Sequence, residues 1–217
     1  MLIWHDRRPV NLRRARRLRV VANILIVTGV LLLVSPAGWV AYTALAVAPA
    51  QTAALAAWDG LANPVGAQAA ARALPPAAAH APARPALLLT IPRIGLRRAV
   101  PPGAHPENLR RYGAGHISWT SLPGGPGMVG IAGHRTTYGA PFFRLNALRP
   151  GDLMHLDYQG RRFTYAVSRS EVVTPDRVDI LEGTGRQRIA LVSCTPVYSA
   201  ARRLVVIGTL ASVTPTP

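Results

Sequence analysis

Three residues that lie far apart in the chain have the side chains that nucleophilic catalysis requires. Cys194 is the only cysteine among 217 residues and follows the apolar run 189–192, Arg203 opens a second run over 204–207, and His134 ends a third over 128–133. An unperturbed thiol is only about 3% ionised at pH 7, so a nucleophilic cysteine needs a base or positive surroundings. A histidine distant in sequence supplies the first and an arginine the second, which is the pattern of a nucleophile with its base. By itself, a single cysteine at the end of an apolar run is more often an inert, small core residue than a nucleophile. The two runs around it are mostly aliphatic and β-branched and are separated by Thr-Pro and small residues, which predicts two strands and a loop. If Cys194 ends the first strand and Arg203 opens the second, antiparallel pairing sets their Cα atoms about 5 Å apart.

Other residues compete for the same roles. The chain has six histidines. His5 lies in an arginine-rich arm, His80 in an Ala/Pro-rich segment, His105 before a proline, and His155 within a predicted strand. His116 is the main rival, following Gly115 and preceding a Pro-Gly loop. Arg202 and Arg203 cannot both face one site from a strand, because successive residues point to opposite faces.

Taken together, Gly133-His134-Arg135, Ser193-Cys194-Thr195-Pro196 and Arg203-Leu204-Val205-Val206 resemble the sortase family, specifically its class E branch from high-GC Gram-positive bacteria. The segment 87–96, Gly115-His116 with the loop 122–127, and the run 138–145 extend the resemblance over about residues 87–210. It implies a cysteine transpeptidase that cleaves a sorting signal between Thr and Gly. Cys194 is then the nucleophile that forms a thioacyl enzyme, His134 the acid and base, and Arg203, followed by Leu-Val-Val, the donor to the carbonyl oxygen. The implied substrates are surface proteins bearing a Leu-Ala-x-Thr-Gly or Leu-Pro-x-Thr-Gly signal, and the acceptor is an amine of a cell-wall precursor or peptidoglycan. No cofactor and no metal are expected. The sequence departs from the family at Met128, usually Asn, at Ser193, usually Thr, and at Arg97-Arg98, where an acidic residue is common.

The elements that must position these residues are short. Strands are predicted over 87–91, 153–158, 162–168, 171–174, 189–193 and 204–210, with helical pieces over 106–111 and 140–148. Many short strands punctuated by Gly and Pro argue for a mainly β, closed, antiparallel-rich barrel, in agreement with the eight-stranded barrel the resemblance implies.

Composition frames the rest. All 25 basic residues are arginine, against 9 acids, and seven of the arginines fall in the first 19 positions. From Leu87 onward 16 arginines face 7 acids, but no nucleic-acid motif accompanies the charge and aromatics are few, so nucleic acid is not an expected partner. Residues 20–58 carry no charged side chain, and the most apolar part, 21–45, is about 37 Å long as a helix, enough for a hydrocarbon core of about 30 Å. Arginines before the span and none just after it put the N-terminus in the cytoplasm and the remainder outside. Ala46-Val47-Ala48 also resembles a signal-peptide cleavage site, but the apolar span exceeds the usual 7–15 residues and Pro49 follows directly. The expected organisation is an arm over 1–20, a transmembrane anchor over 21–45, an Ala/Pro-rich tether over 46–86 and a catalytic domain over 87–217.

Two other classes compete with a sortase. An L,D-transpeptidase also uses cysteine on cell-wall peptides, but its signature places Gly directly before the Cys, where Ser193 stands. A non-catalytic, membrane-tethered wall-binding module needs neither thiol nor imidazole.

Overall fold

The computed structural model describes residues 12–62, 87–183 and 185–216. The part of the expected tether over 63–86 and the start of the arm lie outside them. Two compact units divide the chain, residues 1–41 and 42–217.

The expected anchor span, residues 21–45, covers the end of one helix and the start of the next. Helix α1 runs Leu12–Val34 and helix α2 runs Pro36–Ala62. The break follows from chemistry at two residues. Pro36 has no N–H to continue a helix and suits a first helical position. Ser35 then caps α2, its Oγ accepting from Gly38 N at 3.0 Å while donating to Leu32 O at 2.7 Å. The apolar side chains of α1, such as Ile24, Leu25 and Leu31, are exposed. Among the described residues, the one helical segment long and apolar enough to cross a membrane is Pro36–Gly60. Its later residues, however, pack within the second unit, where Val47, Gln51 and Ala54 are buried. Residues 46–62, expected as the beginning of a tether, are thus a docked helix. Ala-rich sequence favours helix, and small side chains let it approach the sheet closely.

The second unit is built on one eight-stranded sheet in the order β2-β1-β5-β6-β8-β7-β4-β3. Its strands are β1 Leu87–Ile91, β2 Leu96–Val100, β3 Ala114–His116, β4 Met128–Gly133, β5 Leu153–Tyr158, β6 Arg161–Val173, β7 Arg188–Thr195 and β8 Arg202–Pro215. Helix α3, Pro106–Tyr112, links β2 and β3. Every pairing is antiparallel except β4 with β7, which is parallel. The two ends of the sheet nearly meet, since His116 N donates to Pro101 O at 3.0 Å and Pro102 bridges His116. The result is a nearly closed barrel with few helices, as expected.

Two differences from the sequence reading have local causes. The predicted strands 162–168 and 171–174 are one strand, β6, because a register shift between Val167 and Arg169 absorbs the break in alternation. The predicted helix over 140–148 reduces to turns and a 3-10 turn at Leu145–Ala147. Pro141 disfavours helical geometry at Ala140, whose φ is 42°.

Alternation along the strands sorts side chains into two layers. Val129, Ile131, Ile189, Leu191, Leu204 and Val206 point into the main core of the barrel. Met128, Ala190, Val205 and Ile207 point the other way and form a second cluster with Val173 and Leu181. Leu181 belongs to the 3-10 turn Val178–Leu181 in the β6–β7 connection, which covers this outer face.

Candidate active site

The outer layer carries the candidate chemistry. Cys194 is four residues beyond Ala190 on β7, and Arg203 is two residues before Val205 on β8, so both share the face of the second cluster. They are direct partners across the antiparallel pair. The parallel register of β4 with β7 aligns Ala132 with Val192. Two steps further along, His134 follows β4 at the level of Cys194. Ser193, which is buried, ties the two strand ends together through a hydrogen bond from its Oγ to Gly133 O at 2.8 Å.

His134 is held from several sides. Its N–H donates to Gly113 O at 2.9 Å, and its carbonyl accepts from Phe142 N at 3.1 Å. Gly133 must lack a side chain, because a Cβ there would lie 2.6 Å from the ring of Phe142, a fully buried core residue. The imidazole lies 4.7 Å from the ring of Tyr138, tilted by 37°. Tyr138 and Ala140 have φ values of 52° and 42°, so this loop spends backbone strain to bring the tyrosine there. Nε2 of His134 is buried with no hydrogen-bond partner. Burial holds the imidazole below the usual histidine pKa, and the positive Arg110 lowers it further. Near pH 7 His134 is therefore neutral and able to take a proton.

Arg203 donates from Nη1 to Ala200 O at 2.9 Å and to Arg202 O at 3.2 Å. It also lines a cavity of about 100 Å³ with Val173, Pro175, Ile180, Leu181 and Val192. A second opening of about 300 Å³, lined by Trp119, Met128, Leu181 and Glu182 among others, shares Leu181 with it. The β6–β7 connection thus lines a small groove of mixed polar and apolar character, which also includes Arg203. Arg202 alternates to the opposite face and is exposed.

Sequence reasoning missed Arg135. It is only 4% exposed, donates from Nη2 to Asn146 Oδ1 at 2.9 Å, and keeps Nε and Nη1 buried without partners. Burial pushes its guanidinium below the ordinary value, an effect that the nearby Cys194 partly opposes. Arg135 is therefore a buried guanidinium close to the thiol. Its only sequence signal was adjacency to His134, which does not reveal burial. His116, the rival base, is buried and occupied, with Nε2 3.0 Å from Ser121 O and 3.2 Å from Thr120 Oγ1. His155 Nδ1 lies 3.0 Å from Thr164 Oγ1 on β6. Among the described residues, no group of three or more His, Cys, Asp or Glu side chains could hold a metal ion.

Comparison with known proteins converges on one family. The profile described as "Sortase domain" matches residues 89–211. Sortase SrtE1 of Streptomyces coelicolor is 32% identical over 137 residues, covering 56% of this chain and 39% of that protein. Sortase A of Bacillus anthracis is 30% identical over 123 residues, covering 56% of this chain and 58% of its own length. The chain therefore spans less than two thirds of either relative. Among solved structures, sortase E from Streptomyces avermitilis superposes with a TM-score of 0.55 at 30% identity, covering 60% of this chain and 90% of that one. Sortase E1 from S. coelicolor with a tripeptide in its active site gives 0.56 at 30% identity, covering 59% and 89%.

Proposed function

The chain belongs to the sortase family, and from that premise we propose that it is a class E-like cysteine transpeptidase which cleaves a sorting signal between Thr and Gly and transfers the acyl group to a cell-wall amine. One observation carries the reading: Cys194 and Arg203 are cross-strand partners, and the β4–β7 register brings the His134 backbone to the level of Cys194. Cys194 Sγ attacks the Thr carbonyl carbon, and its proton passes to the neutral imidazole of His134. Arg203 donates to the carbonyl oxygen as negative charge develops there, a contribution of a few kcal/mol by comparison with other oxyanion donors. The imidazolium then protonates the Gly nitrogen as the C–N bond breaks, leaving a thioester on Cys194. An incoming amine loses its proton to His134, attacks the thioester and restores the thiol.

The partners follow from this reaction. They are surface proteins carrying a Leu-Ala-x-Thr-Gly or Leu-Pro-x-Thr-Gly signal and an amine of a cell-wall precursor or peptidoglycan. The groove along the β6–β7 connection, which Arg203 lines, is the proposed place for the signal. Residues 21–45 act as the membrane anchor, with the arginine-rich N-terminus cytoplasmic and the catalytic domain outside. The exposed apolar surface of α1 supports this placement, as does the burial of Gln51 among backbone groups of the barrel, which keeps the later part of α2 out of lipid.

Incubating the protein with both signal peptides and an amine acceptor tests the reaction. Mass spectrometry should detect a thioester on Cys194 and a product joined at Thr. Absence of both products and thioester with either peptide would reject the assignment.

A further inference from the structure

The docked part of α2 reaches the catalytic histidine by two routes. Gln51 is only 4% exposed although it is a polar residue on an Ala-rich helix. Its Nε2 donates to Ala99 O at 2.9 Å and to Tyr112 O at 2.7 Å, and its Oε1 accepts from Ala99 N at 3.2 Å. Ala99 lies on β2, an edge strand of the sheet. The side-chain amide thus supplies to Ala99 the acceptor and donor that a further strand would offer. Its third bond fixes the carbonyl of Tyr112, the last residue of α3. The next residue, Gly113, has φ 78°, and its carbonyl is the acceptor for His134 N. One amide group therefore holds the edge of the barrel and the segment from which the His134 backbone hangs.

The second route starts one helical turn earlier. Val47 and Gln51 are spaced i, i+4 and so share one face of α2. Val47 Cγ1 lies 3.6 Å from where a Cβ would start on Gly139, and Arg98 Nη2 donates to Gly139 O at 3.4 Å. Gly139 directly follows Tyr138, whose ring contacts the imidazole. Ala54 completes the contact, packing with Ala99 and Tyr112.

We propose that Gln51 is a positioning residue for His134, and that the juxtamembrane helix α2 is a structural part of the active site rather than a spacer. The proposal rests on the transpeptidase reading for its kinetic consequence but not for its physical one. Removing the amide leaves Ala99 and Tyr112 with buried, unpaired backbone groups, so the Tyr112–Gly113 segment and the 137–140 loop loosen together. Misplacing a proton-transfer group by a fraction of an ångström slows chemistry while leaving peptide binding in the groove untouched.

The test uses the full chain with Gln51→Leu, and Thr52→Ala on the exposed face of α2 as control. With signal peptide and amine, kcat should fall at least about 10-fold at unchanged KM. Independently of turnover, hydrogen exchange should quicken at least about 10-fold at the amides of His134 and Phe142, the two that hold the histidine backbone. If the unsubstituted protein turns over no peptide, the transpeptidase reading fails and the exchange data alone decide the proposal. Unchanged exchange at both amides overturns it, as does an unchanged kcat in an active enzyme. Should Gln51→Leu not fold, Val47→Ala, which trims the contact at Gly139, is read against the same two outcomes.

Discussion

Cys194 and Arg203 face each other across the β7–β8 pair, so the thiol and the guanidinium are fixed by strand register rather than by a loop. Their neighbours Ser193 and Arg202 necessarily turn away from them. Ser193 is buried and bonded to Gly133 O, whereas Arg202 is exposed. A register fixed by interstrand hydrogen bonds makes the contrast between adjacent residues a sharp test.

Arg203→Ala should lower turnover by roughly 10² to 10³-fold, the usual loss for an oxyanion donor. Arg202→Ala should stay near the parent rate, although it removes the same charge. Steady-state kinetics on the pair of variants decides the matter. Equal losses would mean that bulk electrostatics, not register, is responsible.

Cys194→Ala should abolish the thioester seen by mass spectrometry. His134→Ala should lower turnover by at least about 10²-fold through lost proton transfer. Because burial and Arg110 both hold the His134 pKa down, the acid limb of its pH profile should fall below the ordinary histidine value of about 6.5. An acid limb above that value would contradict the burial seen at Nε2.

Stability should also carry a histidine signature. His116, His134 and His155 all have pKa values lowered chiefly by burial. The unfolded chain then binds protons more readily than the folded one below about pH 6.5. The stability this provides is complete above that pH and is lost as pH falls toward the depressed folded values. Thermal melts at pH 7.5, 6.5 and 5.5 should show a falling Tm, and His116→Asn should reduce the slope. A Tm independent of pH over this range would refute the account.

Ser193→Ala removes the tie between β7 and β4 and leaves Gly133 O buried without that donor, a cost of about 1–3 kcal/mol. Ser193→Thr keeps the hydroxyl and should retain more of the parent stability. Urea unfolding midpoints of the two variants measure the difference.

A chain beginning at residue 86 loses every contact of α2 with the barrel, including the three Gln51 hydrogen bonds. It should melt at a lower temperature than a chain beginning at residue 42. Identical melting curves would restore the reading of residues 46–86 as reach without core.

Much of this protein follows from local sequence alone. The β7–β8 pairing was readable because two apolar runs flank a Thr-Pro loop, and a period of two then dictates that Cys194 and Arg203 share one face. The existence of an apolar N-terminal segment needed only the absence of charge over residues 20–58. What tertiary structure alone decided involves partners distant in sequence. Gln51 in an Ala-rich run looks like a solvated residue of a spacer until Ala99 and Tyr112, 48 and 61 positions away, meet its amide. Likewise, Arg135 beside His134 looks like an exposed charge until Asn146 and the barrel wall enclose it. Periodicity records which face a residue occupies. Burial of a lone polar side chain depends on groups that only folding brings within hydrogen-bond distance, so no local pattern announces it.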